Sequence, residues 1–161
     1  MSPSDSASAL SSVGESVFLS GDLARIAGVS RRQLQWLDER QVVSPRQEGR
    51  RRKYSPQQVL EVLTVSSLRR KGLSLQKVRR VLRLLRREWG QVAAAISGGA
   101  SRLYLITNGE SIHLETQPER ILERLAAAKT GMYLVPLSDL AGNIAIDRPA
   151  RRSRTRQLAL F

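Results

Sequence analysis

The chain has 161 residues and no cysteine. That length fits one ordinary domain, or one small domain with an appendage, and is enough to bury a core. The missing thiols exclude a disulfide framework, a thiolate metal site and a thiol redox switch. Lys and Arg number 27 against 14 acidic residues, a net charge of +13, which points to a polyanionic partner: nucleic acid first, an anionic membrane surface second. The excess is local, since residues 17–90 hold 18 Lys/Arg against 6 Asp/Glu, whereas residues 91–147 hold 4 against 6.

Residues 1–16 contain seven serines and few apolar side chains, too few to offset the entropy of ordering them, so a disordered leader is expected there. The stretch lacks the basic and apolar regions of a secretory signal, and no run approaches the ~18 apolar residues of a membrane span. A soluble cytoplasmic protein with no membrane partner is expected. Ser20 is placed to cap a short helix, Gly21 to Ala27, ending at Gly28. Ser30 caps a second helix, with Gln33 completing a capping box. This helix, tight turn and helix is followed by a predicted short strand over Gln41 to Pro45 and a charged hairpin tip over Arg46 to Lys53. Ser55-Pro56-Gln57-Gln58 starts a third helix, predicted over Pro56 to Lys71 and stopped by Gly72.

Ser74 opens a fourth helix whose apolar residues Leu75, Val78, Leu82, Leu85, Trp89, Val92 and Ile96 alternate steps of three and four, giving one stripe. The first half is expected inside the same domain. The second half offers Trp89, Val92 and Ile96 for pairing with a second copy, although core packing explains the stripe equally well and Gly90 argues against one unbroken helix. Residues 89–100 therefore form a connecting helix or linker. Beyond Gly98-Gly99 the period changes: Leu103 to Thr107 and Ser111 to Glu115 flank Asn108-Gly109, a dipeptide favoured in two-residue hairpin turns. An amphipathic helix over Pro118 to Lys129 and a strand over Met132 to Leu137 complete a small ββαβ module at 101–147, suited to dimerisation, partner binding or sensing. A basic tail is expected from Arg148 to Phe161. The fold class is thus mainly α with a small β content (α+β): a winged helix-turn-helix at 17–88 followed by the ββαβ module.

On the second helix, Leu34 and Leu37 face the core, which turns Arg32, Gln35, Trp36 and Glu39 outward at 100° per residue. Arg suits a guanine edge or a phosphate, and Gln an adenine edge. Gly49-Arg50-Arg51-Arg52-Lys53 on a hairpin can follow phosphates or enter a narrow minor groove. Ser30 and Arg31 at the helix start, and Arg46 and Tyr54 at the ends of the hairpin, complete the candidate DNA-contacting set. The lone His113 is expected to be structural, and neither a catalytic constellation nor a metal or cofactor site emerges.

These residues carry a family resemblance. Leu23-Ala24-Arg25-Ile26-Ala27-Gly28-Val29-Ser30, Arg32, Leu34, Asp38-Glu39, Gly49 to Ser55 and Leu68-Arg69-Arg70-Lys71-Gly72-Leu73-Ser74-Leu75 stand in an order and spacing that resemble the N-terminal winged helix-turn-helix of the MerR-type bacterial regulators, over about 40% of the chain. The resemblance implies homodimers that bind double-stranded operators of two-fold symmetry and distort promoters, with RNA polymerase or another protein as a further partner. By position, Arg32, Arg52 and Tyr54 match family residues that contact DNA. Gln35-Trp36-Leu37 stands where the family commonly has Arg-Tyr-Tyr, so the preferred sequence differs. The family's metal-sensing cysteines and a cobalamin-binding motif are absent from the sequence. Two other readings use the same domain: a DNA-bending, nucleoid-organising protein, and an antitoxin-like or adaptor protein whose acidic second half captures a partner. Truncation after Ser97 is expected to leave the DNA-contacting part intact.

Overall fold

A computed structural model describes residues 16–99 and 101–146. The leader, apart from Ser16, and the basic tail expected from Arg148 lie outside those residues. The expected α+β architecture is present, and its helices begin largely where the sequence supplies caps. In front of α2 (Arg31–Glu39), the Ser30 hydroxyl accepts from the Gln33 amide at 3.0 Å while Gln33 Oε1 accepts from the Ser30 amide at 2.8 Å. Ser55 and Gln58 repeat the pair, at 3.2 and 3.0 Å, at the start of α3 (Pro56–Arg70). Ser74 caps α4 (Leu75–Arg87) through the Lys77 amide, 3.3 Å away. The first helix, α1 (Ser20–Ala27), departs from expectation: Ser20 is already helical, and the free amide of Leu19 is satisfied by Asp22 Oδ2 at 3.2 Å.

The end of α2 corrects a second expectation. Gln41 to Pro45 is not a strand. Gln41 adopts φ 56°, its amide donates to Asp38 O, and Val42 N donates to Leu37 O, both at 2.9 Å. This closes the helix as glycine closes α3, where Gly72 has φ 96° and the amides of Gly72 and Leu73 donate to Arg69 O and Leu68 O. Val42 and Val43 then drop into the core. The strands form instead from the charged run: β2 (Arg46–Glu48) and β3 (Arg51–Tyr54) pair antiparallel across the two-residue turn Gly49-Arg50, and β1 (Phe18–Leu19), which the sequence did not announce, pairs with the other edge of β3.

Helix α3 organises the rest. Val59, Leu60, Glu61, Val62, Leu63, Thr64 and Val65 are all buried, so the middle of the helix has no solvent face and must be covered all round. On it lie α1, α4, β3 and, from the second half of the chain, β6 (Tyr133–Pro136) and α7 (Leu137–Ile146). The one carboxylate in this run, Glu61, is 3% exposed. It is met by Arg86, whose Nε and Nη2 reach its two oxygens at 2.7 and 3.2 Å. Arg86 Nη2 also donates to Val42 O at 2.8 Å, and Arg79, two turns earlier, donates to Arg40 O. Two arginines of α4 thus occupy carbonyls at the C-terminal end of α2.

The long apolar stripe is divided. Helix α4 stops at Glu88 and α5 (Trp89–Gly98) restarts at once. Val92, a candidate for pairing two copies, is fully buried in the chain's own core, and Trp89 and Ile96 pack against that core. Val92 is thus taken up within one chain, while Trp89 and Ile96 remain partly exposed.

Past α5, β4 (Tyr104–Thr107) is the centre of a second antiparallel sheet, flanked by β5 (Ile112–Glu115) and β6. The turn between β4 and β5 has four residues rather than two, because Asn108 Oδ1 accepts from the amides of Glu110 and Ser111 at 2.9 and 3.0 Å. Helix α6 (Pro118–Ala127) packs on β5 through Ile121. The final helix α7 adds an element to the expected ββαβ order, with Ser138 Oγ accepting from Leu103 N at 2.7 Å. Leu103, Leu105, Val135, Leu137 and Ile144 belong to the same buried cluster as Leu23, Leu34 and Leu68.

One core of this kind revises the expectation for truncation. A chain ending at Ser97 lacks β6 and α7 and exposes apolar side chains of α3, so it should lose cooperative thermal unfolding and bind a hydrophobic dye; a sharp transition like that of the full chain would contradict this. Arg86→Ala leaves a buried carboxylate without its cation and should cost about 3 kcal/mol in urea unfolding, with Arg86→Lys recovering only part.

Candidate nucleic-acid interface

Leu34 and Leu37 are buried at 1% and 7% exposure, and this fixes the roll of α2. Arg31, Arg32, Gln35, Trp36 and Glu39 are consequently exposed. Arg31 reaches back over α1, its guanidinium so close to Gly21 that a β-carbon there would lie 2.7 Å from Nη2. Arg32 has no protein partner among the described residues. Gln35 is engaged, its Nε2 donating to Glu39 Oε1 at 2.9 Å. Trp36 carries the Arg40 guanidinium 4.8 Å above its ring and borders a groove against Val62, Val65 and Arg69 of α3. The Ser30 hydroxyl sits at the exposed helix start, where it serves as the cap.

The wing stands beside this helix. Arg46, Arg50 and Arg51 are exposed, while Arg52 and Lys53 are half-buried. Arg52 Nε lies 3.7 Å from Asp38 Oδ2, an ion pair that joins β3 to α2. Lys53 pairs with Glu48 across the hairpin and holds that carboxyl below its ordinary pKa. Of the cations on the run, two brace the wing and three remain outward.

Tyr54 does not belong to this surface. It is 1% exposed, opposite Phe18 in the sheet, and its hydroxyl is buried beside Ser20. Burial pushes the phenol above its usual pKa of 10.0. The expectation that Tyr54 touches DNA is therefore corrected: strand alternation, which brings Arg52 and Tyr54 to the same side of β3, puts the ring in the core. The bracing roles of three residues were not legible in the sequence. Asp38, Arg79 and Arg86 fix the wing and α4 to the recognition helix, and their partners lie 14, 39 and at least 25 residues away. No local spacing rule reaches that far.

An exposed cationic helix beside a cationic two-stranded hairpin is what a major groove and its flanking phosphates accept: the helix enters the groove and the wing follows the backbone. These features define a winged helix-turn-helix DNA-binding domain. The model described as MerR HTH family regulatory protein matches residues 18–85, so the N-terminal part of this chain is similar to the helix-turn-helix of MerR-type regulators. No curated protein matches the chain.

Elsewhere, the described residues hold no group of three or more His, Cys, Asp or Glu able to bind a metal, and no helix among them is long and apolar enough to cross a membrane. His113 lies on β5, where burial, reinforced by the nearby Arg124 charge, lowers its pKa below the ordinary 6.5.

Because Tyr54 is a core residue, Tyr54→Phe should leave DNA affinity unchanged and alter stability by no more than about 1 kcal/mol. Loss of binding at unchanged stability would return Tyr54 to the interface. His113 sets a pH window. The unfolded chain takes up a proton near pH 6.5 before the folded chain does, so stability is full above that pH and falls as pH drops through 6.5. His113→Gln should flatten that part of a pH series of melting temperatures, and an unaltered slope would contradict the shift.

Proposed function

We propose that the protein is a sequence-specific transcriptional regulator that binds operator DNA as a homodimer, with α2 in the major groove and the β2–β3 wing on the adjacent backbone, acting at promoters with RNA polymerase as its protein partner. The observation that carries this is the outward set of Arg31, Arg32, Arg46, Arg50 and Arg51 on two elements locked together by the Asp38–Arg52 pair, within the MerR-type match. Family resemblance supports the dimer, since a two-fold operator presents two half-sites to two copies of α2.

Within this arrangement the residues divide by task. Arg32 points away from the core with nothing bound to it and reads a base edge. Gln35 reads an adenine edge once its amide leaves Glu39. Ser30 and Arg31, at the helix start, meet a phosphate with Arg46, Arg50 and Arg51 of the wing. Trp36, held under Arg40, shapes the approach of the helix rather than donating to a base.

Arg32→Ala should cost about 1–3 kcal/mol on the preferred duplex and shrink the gap to random duplex, whereas Arg51→Ala should weaken all duplexes alike and lower the salt slope by about 1. Gel shifts across a salt series measure both. Equal losses on every duplex from both variants, or no preference for any duplex in the parent protein, would overturn the proposal.

A further inference from the structure

A cleft of about 470 Å³ opens between the α4–α5 junction and the β5–α6 side of the second sheet. Neither α2 nor the wing lines it. Its size falls within the range of small-molecule sites. Leu84, Ile112 and Leu114 supply apolar surface, and Arg87, His113 and Arg124 supply donors.

The donors are held in place. Glu115, whose side chain is 9% exposed, accepts from Arg124 Nε at 2.7 Å, and Arg124 Nη1 lies 3.0 Å from His113 Nδ1. A guanidinium can only donate, so His113 Nδ1 must accept, and the neutral ring carries its proton on Nε2. Arg124 Nη2 has no partner among the described residues. The buried carboxylate therefore fixes the plane of a guanidinium at the cleft, and the imidazole is locked in one tautomer beside it.

Two guanidinium groups at the cleft can meet an anion. Arg80, Arg83 and Arg87 follow one another at steps of three and four on one face of α4, all exposed. Of these, Arg87 lines the cleft together with Arg124, beside Glu88 and Glu110; Arg80, outside the lining, engages Glu110 at 3.9 Å, and Glu115 is engaged by Arg124. Arg87 has no protein partner among the described residues. We propose that this cleft binds a small organic anion, a carboxylate or phosphate monoester on an apolar body, with Arg87 and Arg124 meeting the charge and Leu84, Ile112 and Leu114 receiving the body.

Benzoate and phenyl phosphate are suitable probes, with benzyl alcohol as the neutral control, titrated into the full chain and followed by amide shifts in two-dimensional NMR. Saturable shifts are expected at Gln91, Ser111, His113 and Leu114, and the probe that saturates first identifies the headgroup. Arg87→Ala should weaken binding about tenfold, the weight of a charge-assisted hydrogen bond, with Arg87→Lys retaining part. The exposed position of Arg87 lets the variant keep its fold, which an unchanged spectrum elsewhere confirms. Equal affinity for benzyl alcohol, shifts centred on Arg31, Arg32 and the wing, an Arg87→Ala variant that binds as tightly as the parent, or displacement of the probe by duplex DNA would each overturn the site. Specific DNA binding is measured separately, so either result stands alone.

Discussion

Helix α3 is buried on every side between Val59 and Val65, and this decides how the chain must be arranged. A helix with no polar face cannot sit at the edge of a domain. The wing, α1 and α4 cover part of it, and the second half of the chain supplies β6 and α7 for the remainder. Glu61 is the charged residue inside this run. A carboxylate taken from water needs a cation and good hydrogen bonds to be tolerated, and Arg86 provides two contacts while also holding Val42 O. The same side chain therefore secures the helix centre, α4 and the turn that ends the recognition helix.

This arrangement sorts the arginines of α4. Arg79 and Arg86 lie seven residues apart on the side facing α2 and act on backbone carbonyls. Arg80, Arg83 and Arg87 lie on a neighbouring face and remain exposed. A comparable division holds in the wing, where Arg52 and Lys53 brace the hairpin while Arg46, Arg50 and Arg51 stay outward. The net charge of residues 17–90 thus overstates the cations free to meet phosphate. A rigid helix and wing reduce the ordering that binding must bring about, which favours affinity.

What the sequence disclosed was what depends on neighbours in the chain. The caps at Ser30, Ser55 and Ser74, the stops at Gly28 and Gly72, and the outward roll of α2 follow from residues within four positions of one another. The errors arise where distant contacts prevail. Gln41 takes a left-handed conformation normally given to glycine because Val42 and Val43 must reach the core, so a β-branched pair that suggested a strand lies in a turn. The true wing strands are nearly all charged, and β1 is two residues long; neither offers an alternating pattern. Tyr54 was placed at the DNA surface by family position, while its side of the strand faces inward. Helix α7 follows β6 without a linker and contains Gly142, which concealed it, and with it the cover that α3 requires.

Selection of bound duplexes from a random library, followed by mapping of the bound sites on genomic DNA, tests the central claim most directly. A homodimer that reads sequence through α2 should enrich one motif of two inverted half-sites, centred one helical turn of about 10 base pairs, or a multiple of it, apart, and occupy discrete genomic positions. Even coverage of the genome with no enriched motif would contradict it.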